Sequence, residues 1–502
     1  MKRKSSQLVL LLPLLLSITG CVYDYRSHED NYNTSDKDST SNNSETKSHS
    51  EDDYESEYES DVYSEDDPTS SSITSTSSQI TSDDSIIDDI SVITDPIDRE
   101  LRGCYNYFMD TTNYIEGSKA YGLTQDRFTI NTTCSTAATG FLLASYPVFV
   151  EEGFMDRSDA KDIVDKTLDT VIRLQGNSST SNNGIISHFV TKMNGVRYGT
   201  SELSTVDTAI LVSGCIVAGE YFGGTCRTKA NTIWSNVNYN AYVTGNYISM
   251  GRTNPTDASP MSSKWDHYGE QLMIYILGAG NPNSSNRISK SYWDNISKPS
   301  GTYGGITHVY SWFGSLFTYQ FSQAFFDFKN YNDASGYNWF DNSVRASQTD
   351  YKWCQDKKGD YKSFKNSGSW GVTACDTPTG YSGLIGTSPR GYSPSSAVNK
   401  IQGTVAPTAA IGSMPFTPTE SLLALTYFQS LPKLNDKKYG LYDAFNLNYN
   451  GTEWYCNDFI GIDKGIEVLQ MYNYKRSNYI CNLAMQNPYV VEGFTRNGFY
   501  KK

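Results

Sequence analysis

Helix-length apolar segments follow one another through residues 96–502 and constrain the fold more than any other feature. Residues 134–152 carry apolar side chains at helical spacing and stop at Gly153, a residue type that commonly ends helices. Residues 204–222 form a second such segment. Further helices are predicted at 99–109, 159–175, 226–236, 262–278, 286–296, 314–327, 338–357, 421–431 and 463–474. Strand-like alternation is sparse, so the pattern predicts an all-α fold and favours an α/α toroid with loops that build a groove at one rim.

Residues 22–95 have a different composition, dominated by Ser, Thr, Asn, Asp, Glu and Tyr. They contain 21 acidic and three basic residues, which accounts for the net charge of −14 of the whole chain. Because such a segment buries too little apolar surface to offset its ordering entropy, we expect a disordered, extended linker. Residues 96–502 are close to neutral and lack the basic excess that nucleic-acid binding requires.

The first 20 residues resemble a bacterial lipoprotein signal peptide. A basic start leads into an apolar run from Leu8 to Leu16, which is too short to span a bilayer. The run ends at Gly20-Cys21, where a lipobox would be cleaved and the thiol acylated; an ordinary secretory signal is the alternative. We therefore expect a signal peptide at 1–20, a linker at 21–95 anchored through Cys21 to the extracytoplasmic face of the cell membrane, and one catalytic domain at 96–502.

The other eight cysteines all lie in the predicted domain. An exported protein can form disulfides, and we expect one or two at most. Cys215 lies in an apolar helical segment and is predicted to be a buried thiol. No CxxC pair is present, so no zinc site is predicted, and we expect neither a metal nor a cofactor.

Nine short motifs occur in fixed order through the domain. They lie at residues 135–141, 201–209, 265–270, 316–323 followed by Asp327, 370–376, 403–407, 413–416, 442–446 and 461–465. Each is weak alone, but the ordered set resembles the bacterial glycoamylase-like domain family, whose characterised members include endo-β-1,2-glucanases. The resemblance implies an (α/α)6 toroid and a glycoside hydrolase.

Glycoside hydrolysis uses one carboxylic acid to protonate the leaving oxygen and one carboxylate to activate water or attack carbon. Glu270 is predicted on a helix that begins near Ser262, where a partly desolvated carboxyl would suit a general acid; an exposed glutamate is the alternative. Asp463 precedes an apolar helix and could be a plain N-cap. Asp207 fits the third position of a capping box opened by Ser204. The resemblance implies that Glu270 is the general acid and Asp463 the general base, with Asp207 a reserve catalytic candidate.

Loop aromatics offer flat faces that suit sugar rings, although a general bias towards Tyr and Asn would also explain their number. Together with the resemblance, they predict a set of substrate-binding side chains. This set is Glu202, Trp265, Tyr268, Trp312, Tyr319, Gln320, Gln323, Asp327, Trp370, Asp376 and Tyr381. Many family members carry His at the positions of Tyr319 and Gln323 and Ser at that of Cys375, which leaves the glycosidic linkage open.

Three functions fit these residues. The first is an inverting, endo-acting glucanase on β-1,2-glucan, a monomer whose partner is an oligo- or polysaccharide. The second is a toroid hydrolase or transglycosylase for another glycan linkage. The third is a surface lipoprotein that binds glycans without catalysis. Metalloprotease, esterase and P-loop signatures do not occur in the sequence.

Overall fold

The computed structural model describes residues 89–391 and 401–502. The predicted signal peptide, Cys21 and nearly all of the predicted linker lie outside the described residues. The helices are α1 (Pro96–Thr111), α2 (Thr136–Glu151), α3 (Arg157–Gln175), α4 (Thr205–Phe222), α5 (Gly224–Asn236), α6 (Leu272–Gly280), α7 (Ser291–Asn295), α8 (Phe317–Phe325), α9 (Trp339–Asp356), α10 (Pro407–Ile411), α11 (Pro418–Gln429), α12 (Gly461–Lys475), α13 (Tyr479–Ala484) and α14 (Pro488–Arg496).

Short strands in the loops form a three-stranded sheet of order β1-β2-β5 and several two-stranded antiparallel pairs, β6 with β9 and β12 with β19 among them. The strands are β1 (Gln125–Arg127), β2 (Ile130–Ser135), β3 (Ser181–Asn182), β4 (Ile185–Ile186), β5 (Phe189–Thr191), β6 (Leu203–Ser204), β7 (Val243–Thr244), β8 (Tyr247–Ile248), β9 (Gly251–Arg252), β10 (Ser300–Tyr303), β11 (Ile306–Val309), β12 (Tyr331–Asn332), β13 (Cys375–Thr377), β14 (Gly380–Ser382), β15 (Asn435–Asp436), β16 (Gly440–Leu441), β17 (Phe445–Tyr449), β18 (Thr452–Tyr455) and β19 (Tyr500–Lys501).

Inner and outer helices alternate along much of the chain. Helices α2, α4, α6, α8 and α10 are buried on nearly all sides, whereas α3, α5 and α9 bury only part of their surface. A helix that is apolar all round belongs in a core, and one with a polar face belongs on the outside. Helix α2 packs against α4 and α12, and α1 packs against α12. The domain is therefore an all-α toroid, as the helix pattern predicts.

Helix α4 would be long and apolar enough to cross a membrane, but 94% of it is buried inside the fold, as expected of a core helix. It approaches α2 closely where two glycines meet. A Cβ atom added to Gly214 would lie 1.9 Å from the carbonyl oxygen of Gly140. Glycine at these positions lets the two backbones come into direct contact.

The predicted helix at 262–278 is wrong over its first ten residues, because α6 begins only at Leu272. Residues 262–271 instead bond to neighbouring loops: Trp265 N donates to Ile248 O at 2.8 Å, and Tyr268 N donates to Ser297 O at 2.9 Å. The helix predicted at 286–296 is reduced to α7. Helices α10, α13 and α14 were not predicted from the pattern.

Residues before the predicted domain boundary at residue 96 also pack on the domain. Ile90 is buried, and its backbone N donates to Lys437 O at 2.8 Å, so the last residues assigned to the linker pack on the domain. The eight cysteines of the domain are free and buried, including Cys215. They act as small apolar side chains in the core.

Candidate active site

Three of the predicted acidic residues lie at the N-terminal ends of inner helices. Asp207 is in the first turn of α4, where its backbone N donates to the Oγ of the N-cap Ser204 at 3.3 Å, as the capping box predicts. Asp463 is in the first turn of α12 and does not cap it, because Ile460 is the N-cap residue. Glu270 lies in the turn just before α6. The positive end of a helix dipole favours carboxylates at such positions.

Glu270 is a buried carboxylic acid, with only 4% of its surface exposed. Burial, and then the charge of Asp207, raise the pKa of Glu270 to about 8, while His188 opposes the shift. Its backbone is fixed by Ser322, whose Oγ donates to Glu270 O at 2.7 Å and accepts from Met273 N at 2.9 Å. Burial therefore favours the protonated form of Glu270, and Ser322 holds its backbone in place; both features suit a general acid.

His188 links two of the predicted site residues. Its Nδ1 lies 2.8 Å from Glu202 Oε1, and its Nε2 lies 3.5 Å from Asp207 Oδ1. Burial alone would lower the pKa of His188, but the charges of Asp207 and Glu202 outweigh it and raise that pKa to about 9. Burial raises the pKa of Asp207. The imidazolium is thus a buried cation between two carboxylates, on the Glu270 side of the site.

Asp463 forms a pair with Asp443. Burial raises the pKa of Asp463 to about 7, and its hydrogen bond with Asp443 opposes that shift. Asp443 is 5% exposed, and its Oδ2 accepts from Asp376 N at 2.7 Å. Burial, and then the charges of Asp376 and Asp463, raise the pKa of Asp443 well above its usual range.

Arg127 organises the acidic residues around this pair. It binds both oxygens of Asp376, at 2.8 and 3.0 Å, and reaches Asp458 at 3.2 Å. Its guanidinium lies 5.4 Å from the centre of the Tyr381 ring. Cys456 Sγ also donates to Asp376 Oδ2 at 3.3 Å. Asp376, Asp443 and Cys456 come within 4.8 Å of one another, but because Arg127 already supplies a cation to Asp376, we assign no metal to them.

Asp126 connects the two halves of the site. Burial raises its pKa, and the charges that act on it come from Arg127 and Asp458 on one side and from His188 and Asp207 on the other. Strand β1, which carries Asp126 and Arg127, pairs with β2, and β2 leads into α2. An isolated bridge between Arg127 and Ile460 joins the strand to the start of α12. The residues around Glu270 and the residues around Asp463 therefore lie on two sides of one region at the rim of the toroid.

Only some of the predicted substrate-binding residues lie beside the charged groups of the site. Glu202, Asp376 and Tyr381 contact the charged groups just described. Trp312 packs on Trp265 with ring centres 6.0 Å apart, and the Trp265 Nε1 donates to Thr205 Oγ1 at 3.0 Å, at the start of α4. Trp265 is thus a buried support for the rim, with 2% of its surface exposed.

Three predicted aromatic contacts are instead part of the core. Tyr268 stacks on Trp339 with ring centres 4.6 Å apart. The hydroxyl of Tyr319 accepts from Ser311 N at 2.8 Å. Trp370 is fully buried, and its Nε1 donates to Glu420 O at 3.1 Å. The sequence pattern did not separate Tyr268 and Trp370 from rings in a groove, because each lies next to a Gly as loop aromatics often do.

Two of the predicted polar contacts on or just after α8, Gln320 and Asp327, bond to groups of the fold. Gln320 donates to Ala409 O at 2.8 Å and holds α10 against α8. Asp327 follows the C-terminal end of α8 and accepts from Asn330 and Asn478. Gln323 is buried, and neither atom of its amide has a hydrogen-bond partner among the described residues.

Several charged residues of the site were not predicted. His188, Arg127, Asp126 and Asp458 belong to loops without a motif that marks them. Asp443 lies inside the motif at 442–446, which carried the resemblance but received no role.

Comparisons with known proteins bear on the family resemblance and on the fold. A family model described as a putative glucoamylase matches residues 262–488. The predicted resemblance to glycoamylase-like proteins is confirmed. An exo β-1,2-glucooligosaccharide sophorohydrolase (non-reducing end) of Parabacteroides distasonis is 24% identical over 73% of this chain and 53% of its own length. This chain therefore spans about half the length of that relative.

Solved structures show the same glycoamylase-like fold. A protein of Bacteroides uniformis, described as a putative glucoamylase, is similar with a TM-score of 0.69 and 24% identity over 81% of this chain and 97% of its own. An endo-β-1,2-glucanase of Chitinophaga pinensis, in complex with sophorotriose and glucose, has a TM-score of 0.68 and 22% identity over 81% of this chain and 98% of its own.

Proposed function

We propose that the protein is a cell-surface glycoside hydrolase, an inverting, endo-acting glucanase on β-1,2-glucan or a related glucan, built on an (α/α)6 toroid. One observation carries the proposal: the buried Glu270 lies beside Asp207 and His188, the buried Asp463 lies beside Asp443, and Asp126 and Arg127 lie between these two sets of residues. Glycoside hydrolysis requires two carboxyl groups, one protonated and one ionised. The alternation of inner and outer helices supports the sixfold count.

In this proposal, Glu270 gives its proton to the glycosidic oxygen as the bond from that oxygen to the anomeric carbon breaks. A water oxygen bonds to the anomeric carbon from the opposite face, and Asp463 takes the proton that the water loses. His188 holds Asp207 and Glu202 beside Glu270, and Arg127 holds Asp376 beside Asp443. Glu202, Asp207, Asp376, Tyr381 and Trp312 are the side chains that we propose for sugar binding.

The names of the relatives support the choice of substrate. Both the Parabacteroides relative and the Chitinophaga structure are named for β-1,2-linked glucans. The retained acid and base positions favour catalysis over glycan binding alone. Another glycan linkage stays an alternative that a panel of β-1,2-, β-1,3- and α-1,4-glucans would decide.

Linear β-1,2-glucan and two variants test the assignment. Glu270→Gln and Asp463→Asn should each lower kcat by about 10²–10⁴-fold, since each removes one proton-transfer group. Glu116→Gln is the matched control, because Glu116 is exposed on the outer surface. The first product should be the α-anomer, which NMR detects before mutarotation. Normal turnover by both variants would refute the roles, and a β-anomeric product would refute inversion.

The pKa values of the two acids also predict a pH profile. The rate should rise as Asp463 loses its proton near pH 7 and fall as Glu270 loses its own near pH 8. We expect kcat/KM to follow a narrow, bell-shaped pH profile with its maximum between pH 7 and pH 8. A flat profile from pH 6 to 9 would contradict the assignment.

We further propose that the protein is a monomer anchored by acyl chains on Cys21. The signal-like segment before Cys21 supports this placement. Labelling of cells with an alkyne fatty acid should mark the protein, and Cys21→Ser should abolish the label. Equal labelling of the variant would refute the anchor.

A further inference from the structure

Asp443 is a buried carboxyl group with acidic neighbours. Its Oδ2 accepts from Asp376 N at 2.7 Å. Its Oδ1 is buried and meets no donor among the described residues, yet the carboxyl lies within hydrogen-bonding reach of Asp463. Two ionised carboxylates offer only acceptors, so a hydrogen bond between them requires a proton on one of the two.

The groups around Asp443 do not supply a cation of its own. Arg127 is bound through two nitrogens to Asp376 and also reaches Asp458, so its charge is shared among other carboxylates. The thiols of Cys456 and Cys375 also lie near the Asp443 carboxyl. Burial raises the pKa of both thiols, so they stay neutral. A second negative charge beside Asp463 would have no partner, and such a charge is costly in a buried site.

We propose that Asp443 is a positioning residue that keeps its proton and donates it in a hydrogen bond to Asp463. The pair then carries one negative charge, and that charge rests on Asp463. This inference rests on the proposed hydrolase function, in which Asp463 is the base. Asp376 N fixes the protonated partner from the other side, so that Asp443 is held with its acidic proton towards Asp463.

The consequence is a base that can ionise although it is buried. Burial raises the pKa of Asp463, and the hydrogen bond from Asp443 partly reverses that rise. Without the donor, Asp463 would stay protonated to higher pH and would accept no proton from water in the neutral range. A purely structural role for Asp443 would change stability but not the pH at which the base ionises.

Two substitutions distinguish a positioning role of Asp443 from a purely structural one. The quantity compared is the position of the acidic limb, which is the pH range over which kcat/KM rises as Asp463 loses its proton. Asp443→Asn keeps both contacts, since its amide can accept from Asp376 N and donate to Asp463. We expect the limb to stay within about 0.3 pH units of the native one, with kcat several-fold lower because an amide is a weaker donor. Asp443→Ala removes the donor and should move the limb upwards by about one unit, with a loss of about tenfold in rate on that limb.

The opposite shifts would overturn the proposal. If Asp443 were ionised, Asp443→Asn would remove a negative charge beside Asp463 and move the acidic limb to lower pH. An unmoved limb in Asp443→Ala would show that Asp443 does not act on the base. If Asp443→Ala does not fold, the Asp443→Asn profile still decides the question.

A measurement without substrate keeps the inference separate from the choice of glucan. Carbon NMR of protein labelled at the Asp side-chain carboxyl should show, at pH 7, one protonated-acid resonance that is lost in Asp443→Asn. If every such resonance persists in the variant, Asp443 is ionised and the inference fails, even if the enzyme hydrolyses β-1,2-glucan. If the resonance is lost but no glucan is cleaved, the proposed function fails and the proton assignment stands.

Discussion

At the scale of single residues, His188 connects stability to the charge of the site. Its pKa in the folded protein, about 9, lies above the ordinary value of 6.5. A group whose pKa is raised by folding stabilises the folded state fully below the ordinary value, and this contribution is lost as the pH rises through the raised one. The carboxylates of Glu202 and Asp207 are the source of the stabilisation.

We predict that His188→Gln destabilises the protein most near pH 6 and less as the pH approaches and passes 9. The difference in the free energy of unfolding between the native protein and the variant should be on the order of 3 kcal/mol at pH 6. Urea unfolding at several pH values measures it. His308→Gln is the control, because burial lowers the pKa of His308 to about 4 and leaves it neutral throughout this range. If His188→Gln lowers the free energy of unfolding by the same amount at every pH from 6 to 9, His188 is not a cation in the folded protein.

Some acids of the candidate site and the raised pKa of Glu270 could be predicted from the sequence, but Asp126, Asp443, Asp458 and the raised pKa of Asp463 could not. Glu270, Asp207 and Asp463 lie in motifs that local spacing makes visible. The pKa of each depends on partners that are distant along the chain, such as His188 for Asp207 and Asp443 for Asp463. No local pattern encodes these pairs, since the toroid brings them together only on folding.

At the scale of helices, periodicity predicted the long elements and missed those that depend on tertiary bonds. Helices α2 and α4 match the predicted segments to within two residues. Residues 262–271 have helical spacing, but their backbone groups bond to residues 248–250 and 297, and Glu270 is consequently in a turn rather than on a helix face. Helix α10 is too short for its periodicity to be recognised.

The contact between α2 and α4 gives a prediction for the core. Gly214→Ala would place a Cβ against the Gly140 backbone, which cannot move aside as a flexible side chain can. We expect a loss of about 3 kcal/mol or more, at the upper end of what overpacking costs, measured as a lower midpoint of urea unfolding. Gly359→Ala is the control, because nothing lies within 4 Å of its added Cβ. Equal midpoints for the two variants would show that the helices can separate at no cost.

At the scale of the whole molecule, α1 and α12 are joined by a buried ionic cluster. Lys464 Nζ lies 2.7 Å from Glu100 Oε1 on α1 and 3.3 Å from Glu467 Oε2 on α12. All three side chains are at least 96% buried. Lys464 directly follows the proposed base Asp463, and the charge of Glu467 contributes to the raised pKa of that base. The same cluster therefore joins helices distant along the chain and supports the site.

Substitution of Lys464 should show how much the ionic cluster between α1 and α12 contributes to the free energy of unfolding. Lys464→Met leaves two buried carboxyl groups without a counter-charge, for which a cost of about 3–5 kcal/mol is typical. Lys475→Met is the matched control on the same helix, because Lys475 pairs with Asp98 and Glu152 but is partly exposed, and such pairs contribute about 0–1 kcal/mol. In the triple variant Glu100→Gln, Lys464→Met, Glu467→Gln no charge is left unpaired, so most of the loss should be recovered. If the triple variant is as unstable as Lys464→Met, the cluster acts through packing, and charge does not explain how the first and last parts of the toroid hold together.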